Sequence, residues 1–192
     1  MMRPGKIFIL SGPSGSGKTT LYKKLLVSKK LKGTLVKSIS ATTRAKRLGE
    51  ENGRDYLFLS LEDFREKIEQ EHFLEWQKVF DNYYGTPKKN VETLLQSGKN
   101  VLLCIDVKGG RVVKRFFPGA VKIFVKAPSL AVLKERLLDR GSESQEDVEM
   151  RLETARKELL EAKKYEYVIT NDNLNLSFRK LESIVLKELR EI

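Results

Sequence analysis

The run Gly12-Pro13-Ser14-Gly15-Ser16-Gly17-Lys18-Thr19 constrains this chain more than any other segment. It follows the apolar stretch Ile7–Leu10 and precedes leucines at 21, 25 and 26, so it reads as a turn between a buried strand and a helix N-terminus. There, glycines let backbone N–H groups turn inward around phosphate oxygens, and the helix end adds its partial positive charge. Lys18 would neutralise the outer phosphates of a nucleoside triphosphate, and Thr19, with Thr20 beside it, would offer a hydroxyl to Mg²⁺. A flexible Gly/Ser loop before an ordinary helix is the bland alternative, and the strand, helix and spacing together argue against it.

The rest of the chain alternates in the same way. Short apolar runs at 101–105, 121–125 and 167–170 lack polar alternation and read as strands buried on both faces. Helical patterns are expected at 18–31, from a Thr86-Pro87 start to before Gly98, after a Ser129 cap with Leu130, Leu133 and Leu137 on one face, and at 145–164 and 175–189. This order implies right-handed crossovers and an α/β fold with a mostly parallel sheet covered on both faces. Between Ser38 and Tyr84 the rhythm breaks into short polar and aromatic pieces with turn signals at Gly49 and Asn52-Gly53, which reads as a small inserted, partly β subdomain. The polar stretch 139–145 reads as a lid hinge.

Composition narrows the function classes. The 192 residues carry 37 Lys+Arg against 26 Asp+Glu, a formal net charge of +11, which implies an anionic partner such as a nucleotide, a nucleic acid or an acidic membrane surface. Much of that excess also suits solvated helix faces. The longest apolar run, Val101–Ile105, falls far short of the ~20 residues of a spanning helix, and the N-terminal apolar stretch is too short for a signal peptide. One cysteine, Cys104, and one histidine, His72, leave no disulfide and no Cys/His metal cluster. A cytoplasmic location is therefore expected, and His72 is expected to be an ordinary surface residue.

Within the inserted region, Arg44, Arg47 and Tyr56 gather two guanidinium forks and a phenol near Ser40, a set suited to a second phosphate. Glu75, between Leu74 and Trp76, is either an exposed edge-strand carboxylate or a buried one needing donors. The guanine edge offers two adjacent donors where adenine presents an acceptor, so a buried Glu75 would select guanine. Tyr84, Gly85 and Thr86 follow with a phenol, a close-approach glycine and a hydroxyl.

The succession GPSGSGKTT, SISATTRAKRLGEENGRDYLF, FLEWQKVFDNYYGTP, LLCIDVKGG, KAPSLAVLKERLLDRGSES and VITNDNL resembles the guanylate kinase family in order and spacing, from about residue 6 to 190. The resemblance implies a P-loop NTPase three-layer fold: a core at 1–37, 87–125 and 166–192, a GMP-binding subdomain at 38–86 and a small helical lid at 126–165. It implies transfer of the γ-phosphate of ATP to GMP, giving ADP and GDP, with Mg²⁺. It further implies that Gly12 to Thr20 and Asn171 bind ATP, with Asn171 at the adenine. Ser40, Glu75 and Thr86 would read guanine, with Gly85 beside them, while Arg44, Arg47, Tyr56 and Tyr84 would hold the GMP phosphate. Arg136, Arg140 and Arg151 would close onto the transferring group together with Lys18 and Arg44. Asp106, at a strand end, is expected on the GMP side or in the water shell of the metal ion held by Thr19.

Two positions depart from the family pattern. Cys104 stands where a carboxylate is usual, and Lys126-Ala127-Pro128 replaces a common proline pair. Two other readings stay open on sequence alone: a non-catalytic guanylate-kinase-like binding module, which typically loses phosphate-loop residues, and a kinase of this fold with another phosphorylated acceptor. No nucleic-acid-binding motif accompanies the charge, and salt-dependent binding would expose such a role.

Overall fold

The computed structural model describes residues 5–139 and 145–190. Five parallel strands form the central sheet in the order β2 (Leu35–Lys37), β7 (Asn100–Cys104), β1 (Ile7–Ser11), β8 (Val121–Lys126), β9 (Tyr167–Thr170). The register pairs Ile9 with Leu103 on one side and with Lys122 on the other. Phe8, Leu10 and Leu102 point to one face, under α1 (Lys18–Leu26) and α7 (Leu174–Arg190); Ile7, Ile9, Val101 and Leu103 point to the other, under α3 (Lys88–Gln96) and α4 (Val107–Phe116). Burial on both faces is why β1 and β7 read as continuous apolar runs rather than alternating ones, whereas β9, expected to be buried, lies at the sheet edge and fully buries only Ile169.

The inserted region folds as a second, four-stranded sheet in the order β4 (Leu57–Phe58), β3 (Ala41–Thr42), β6 (Asn82–Pro87), β5 (Phe73–Val79), with α2 (Leu61–Glu69) between β4 and β5. Gly49 and Gly53 take the positive φ expected of turns. Helices α5 (Leu130–Leu138) and α6 (Gln145–Glu161) share a separate apolar cluster that includes Leu133, Leu137, Val148 and Leu152. The Ser129 hydroxyl accepts from Val132 N at 3.2 Å, the expected cap. Residues 140–144, which hold Arg140 and most of the expected hinge, lie outside the described residues.

The structure corrects several expectations. Helix α1 stops at Leu26 rather than 31, because i→i+3 turns at Ser28 and Leu31 and the Ser28 hydroxyl bond to Glu182 take over the chain. The three-residue edge strand β2 is too short to announce itself. Thr86-Pro87 ends β6 instead of capping α3 with a hydroxyl: Pro87 is the cap residue, without a side-chain bond, and Thr86 is engaged elsewhere. Helix α4 was hidden by Gly109-Gly110 in its first turns; Asp106 caps it, accepting from Gly109 N at 2.7 Å. His72 is exposed just beyond α2, as expected. No helix among the described residues is long and apolar enough to cross a membrane.

Leu102 is fully buried in β7, an interior strand of the sheet. Leu102→Ala is expected to lower unfolding stability by ~2–5 kcal/mol in equilibrium urea titrations. A loss below ~1 kcal/mol would show that this face is not a packed core.

Candidate active site

Strand β1 lies at the middle of the sheet with β7 and β8 on its two sides, so the loop leaving its C-terminal end opens where the strand order reverses. That loop is the Gly12–Thr19 run. Its backbone is locked from behind: the buried Asn171 side chain donates from Nδ2 to Ser16 O at 2.9 Å. A Cβ built at Gly17, whose φ is 90°, would come within 2.1 Å of the same nitrogen, so only glycine fits there. Lys18 Nζ folds back onto the carbonyls of Gly12 and Pro13. Asn171, expected at the adenine, thus has its amide engaged under the loop.

In front of the loop lies a cavity of about 540 Å³ walled by the loop, the second sheet and α6. A larger groove of about 720 Å³ along α7, between Lys30 and Arg190, contains none of the expected groups. The smaller cavity gathers Ser14, Lys18, Thr19, Ser40, Arg44, Arg47, Tyr56, Glu75, Tyr84, Gly85, Asp106 and Arg151, so the expectations from distant parts of the chain converge.

Glu75 reaches the cavity because the register of β5 shifts between Phe73 and Glu75, which lets the neighbours Leu74 and Glu75 both turn inward. It lies opposite Thr86 on β6, and its Oε1 accepts the Thr86 hydroxyl at 2.5 Å. Thr86 is fully buried and supports Glu75 from behind. A Cβ at Gly109 would sit 2.3 Å from Glu75 Oε2, so the glycine lets α4 approach the carboxylate. Burial pushes the Glu75 carboxyl up to about 7; the Thr86 hydrogen bond opposes this and the Asp106 charge adds to it. Gly85 packs under the Phe73 and Phe64 rings.

Arg44 is held by a partner that sequence reasoning missed. Its Nη2 donates to both Glu50 oxygens at 2.8 and 2.9 Å, and Arg47 N donates to Glu50 Oε2 at 2.9 Å. Burial works against the Glu50 charge, but these donors outweigh it and hold the carboxyl below its ordinary value. The Arg44 guanidinium also lies 5.6 Å from the Tyr56 ring, which meets Tyr84 edge-on at 6.1 Å. Burial pushes the Tyr56 phenol up to about 12, leaving it a neutral donor. Behind Tyr56, the Lys37 ammonium sits 5.3 Å from that ring and 4.9 Å from the Tyr22 ring, and donates to Asp55 O at 2.9 Å.

From α5, Arg136 Nη2 donates to Asn171 O at 3.1 Å, and from α6, Arg151 Nη1 approaches Ser14 Oγ at 3.5 Å. Helix α6 turns Arg151, Thr154 and Glu158 toward the cavity, an i, i+3, i+7 stripe. Glu158, also missed, has its carboxyl raised by burial, opposed by Lys18. The spacing from Arg151 was the available signal. Burial likewise raises the Asp106 carboxyl and pushes the Cys104 thiol up to about 12, so a neutral group stands where the resemblance implies a carboxylate.

The Gly12–Thr19 loop, the buried Glu75 carboxylate and the arginine-bearing helix α6 therefore face one cavity. The guanylate kinase family model matches residues 4–188. The chain belongs to the guanylate kinase family. It is 44% identical over 184 residues to the guanylate kinase of Rickettsia felis, covering 96% of this chain and 94% of that one. The guanylate kinase of Syntrophomonas wolfei is 45% identical over 188 residues, covering 98% and 95%. Among solved structures, guanylate kinase from Anaplasma phagocytophilum superposes with a TM-score of 0.80 at 33% identity, over 98% of this chain and 88% of that one. These guanylate kinases span the same elements that build the cavity here.

A carboxyl raised above its unfolded value of 4.5 to about 7 favours the folded state fully below pH ~4.5, and that contribution is lost as pH rises through ~7. Glu75→Gln removes this loss. The stability of Glu75→Gln relative to wild type should therefore rise by roughly 2–3 kcal/mol between pH 5 and pH 8 in urea titrations. An unchanged difference would mean that Glu75 is not desolvated.

Proposed function

We propose that this guanylate kinase works by holding ATP on the Gly12–Thr20 loop and GMP against the inserted sheet, in one cavity that α6 closes. The reaction transfers the γ-phosphoryl group of ATP to GMP, giving ADP and GDP. The observation that carries the assignment of the acceptor is Glu75: a desolvated carboxylate facing the same cavity as the phosphate loop. Its ionised form needs two donors side by side, and the N1–H and exocyclic amine of guanine provide them, with Ser40 alongside and Thr86 fixing the carboxylate. Binding of guanine would hold Glu75 charged although its carboxyl alone titrates near neutrality.

Arg44, Arg47, Tyr56 and Tyr84 would bind the GMP phosphate, with Glu50 yielding part of its hold on Arg44 to the incoming anion. Lys18 would leave the Gly12 and Pro13 carbonyls for the outer phosphates of ATP. Arg136, Arg140 and Arg151 would carry charge to the transferring group. The accepting atom is already an anionic phosphate oxygen, so no general base is required, and positioning with charge neutralisation lowers the barrier. Thr19 and Asp106 offer the hard oxygen donors that suit Mg²⁺: Thr19 as a ligand and Asp106 toward its water shell. When bound, the ion would supply neutralisation of the phosphate oxygens. We place Asn171 as a brace of the loop rather than an adenine contact, on the strength of its bond to Ser16 O. The three-part division into core, GMP-binding subdomain and lid, a cytoplasmic role in purine nucleotide supply, and use of the positive charge for nucleotides rather than nucleic acid or membrane complete this reading.

Two variants test it. Lys18→Ala should cut turnover at least about 100-fold while isothermal titration shows GMP binding retained. Glu75→Gln should lose about 10- to 100-fold of the preference for GMP over AMP in kcat/KM. Normal turnover by Lys18→Ala would overturn the role of the loop, and an undiminished preference in Glu75→Gln would overturn the guanine-reading role.

A further inference from the structure

The hairpin joining β5 to β6 turns on two residues, Phe80 and Asp81, with Val79 paired to Asn82 across it. The first residue of such a turn is commonly a glycine at positive φ. Here that backbone belongs to Phe80, at φ 53°. An aromatic side chain is disfavoured in this region, and a contact beyond the hairpin can offset that cost.

The contact is made across the cavity. The Arg151 guanidinium carbon lies 4.9 Å from the centre of the Phe80 ring, and Phe80 and Arg151 line the same cavity. Nη1 of the same guanidinium approaches Ser14 Oγ at 3.5 Å. One cation therefore touches the hairpin tip of the inserted sheet, the phosphate loop and its own helix α6. A ring face attracts the charge of an arginine without consuming its in-plane N–H donors, which stay directed to oxygen acceptors. Arg44 combines a ring contact with ion pairing: its guanidinium lies over the Tyr56 and Phe58 rings while its N–H groups are engaged by Glu50.

We propose that Phe80 is a positioning residue for phosphoryl transfer: its ring holds the Arg151 guanidinium against the phosphate loop, so the placement of this cation depends on where the acceptor-binding sheet sits. The inserted sheet then acts twice, binding the acceptor through Glu75 and the Arg44 group, and carrying at its tip the ring that seats a transfer-side arginine. This rests on Arg151 acting in the transfer step, as assigned above.

The test is a double-mutant cycle read by steady-state kinetics with ATP, Mg²⁺ and GMP. Phe80→Leu keeps the bulk and the backbone demand but removes the π face; Phe80→Trp keeps a ring. Phe80→Leu is expected to lower kcat about tenfold with KM for GMP within about twofold of wild type, and Phe80→Trp to recover most of kcat. In an Arg151→Ala background, Phe80→Leu should cost nothing further. A rise in KM for GMP with unchanged kcat, or an equal loss in the Arg151→Ala background, would overturn the coupling while leaving the role of Arg151 intact. An Arg151→Ala enzyme with wild-type kcat would instead overturn the transfer role of Arg151 on which the coupling depends.

Discussion

An anion could be held by the Gly12–Thr19 loop only with its backbone N–H groups turned into the cavity, and a buried amide braces that backbone from behind. Asn171, just past the end of β9, donates to Ser16 O and leaves room for nothing larger than glycine at 17. Arg136 in turn donates to the backbone carbonyl of Asn171, so helix α5, the end of the last sheet strand and the loop are tied at one point. The parallel sheet makes this geometry available: with β7 and β8 on opposite sides of β1, the loop emerges at the reversal of strand order, with Asp106 beside it. Core packing on both faces of that sheet fixes strand positions far more firmly than any loop contact could.

Around this loop, four cations in or behind the cavity make different kinds of contact. Lys18 rests on loop carbonyls, Arg44 on the Glu50 carboxylate, Lys37 between two tyrosine rings and a carbonyl, and Arg151 on the Phe80 ring and the loop. Among the acids of the cavity, burial raises Glu75, Asp106 and Glu158, so each would gain from a donor or cation brought close to it.

Sequence legibility followed physical range. The phosphate loop and the doubly buried strands are local patterns, and they lie where the chain pattern placed them. Glu75 was ambiguous because its inward turn depends on a register shift in β5 that no local period encodes. Helix α4 was obscured by two glycines that are there for close packing: one admits Glu75, the other approaches Ile9 and the Tyr165 hydroxyl. The Thr86-Pro87 pair carries a helix-start signal, yet strand pairing with Phe73 and Glu75 claims it. Glu50, Lys37 and Phe80 escaped notice because their significance lies in partners 6, 18–19 and 71 residues away, respectively, on other elements or turns.

The central claim is that one cavity joins a triphosphate-binding loop to an acceptor pocket that reads guanine. Its most direct measurement is the initial rate of ADP release with ATP and Mg²⁺, comparing GMP, AMP, CMP and UMP as acceptors. The account predicts turnover with GMP and rates near background with the other three. Equal rates with AMP and GMP, or no turnover with any of the four while ATP still binds, would contradict it.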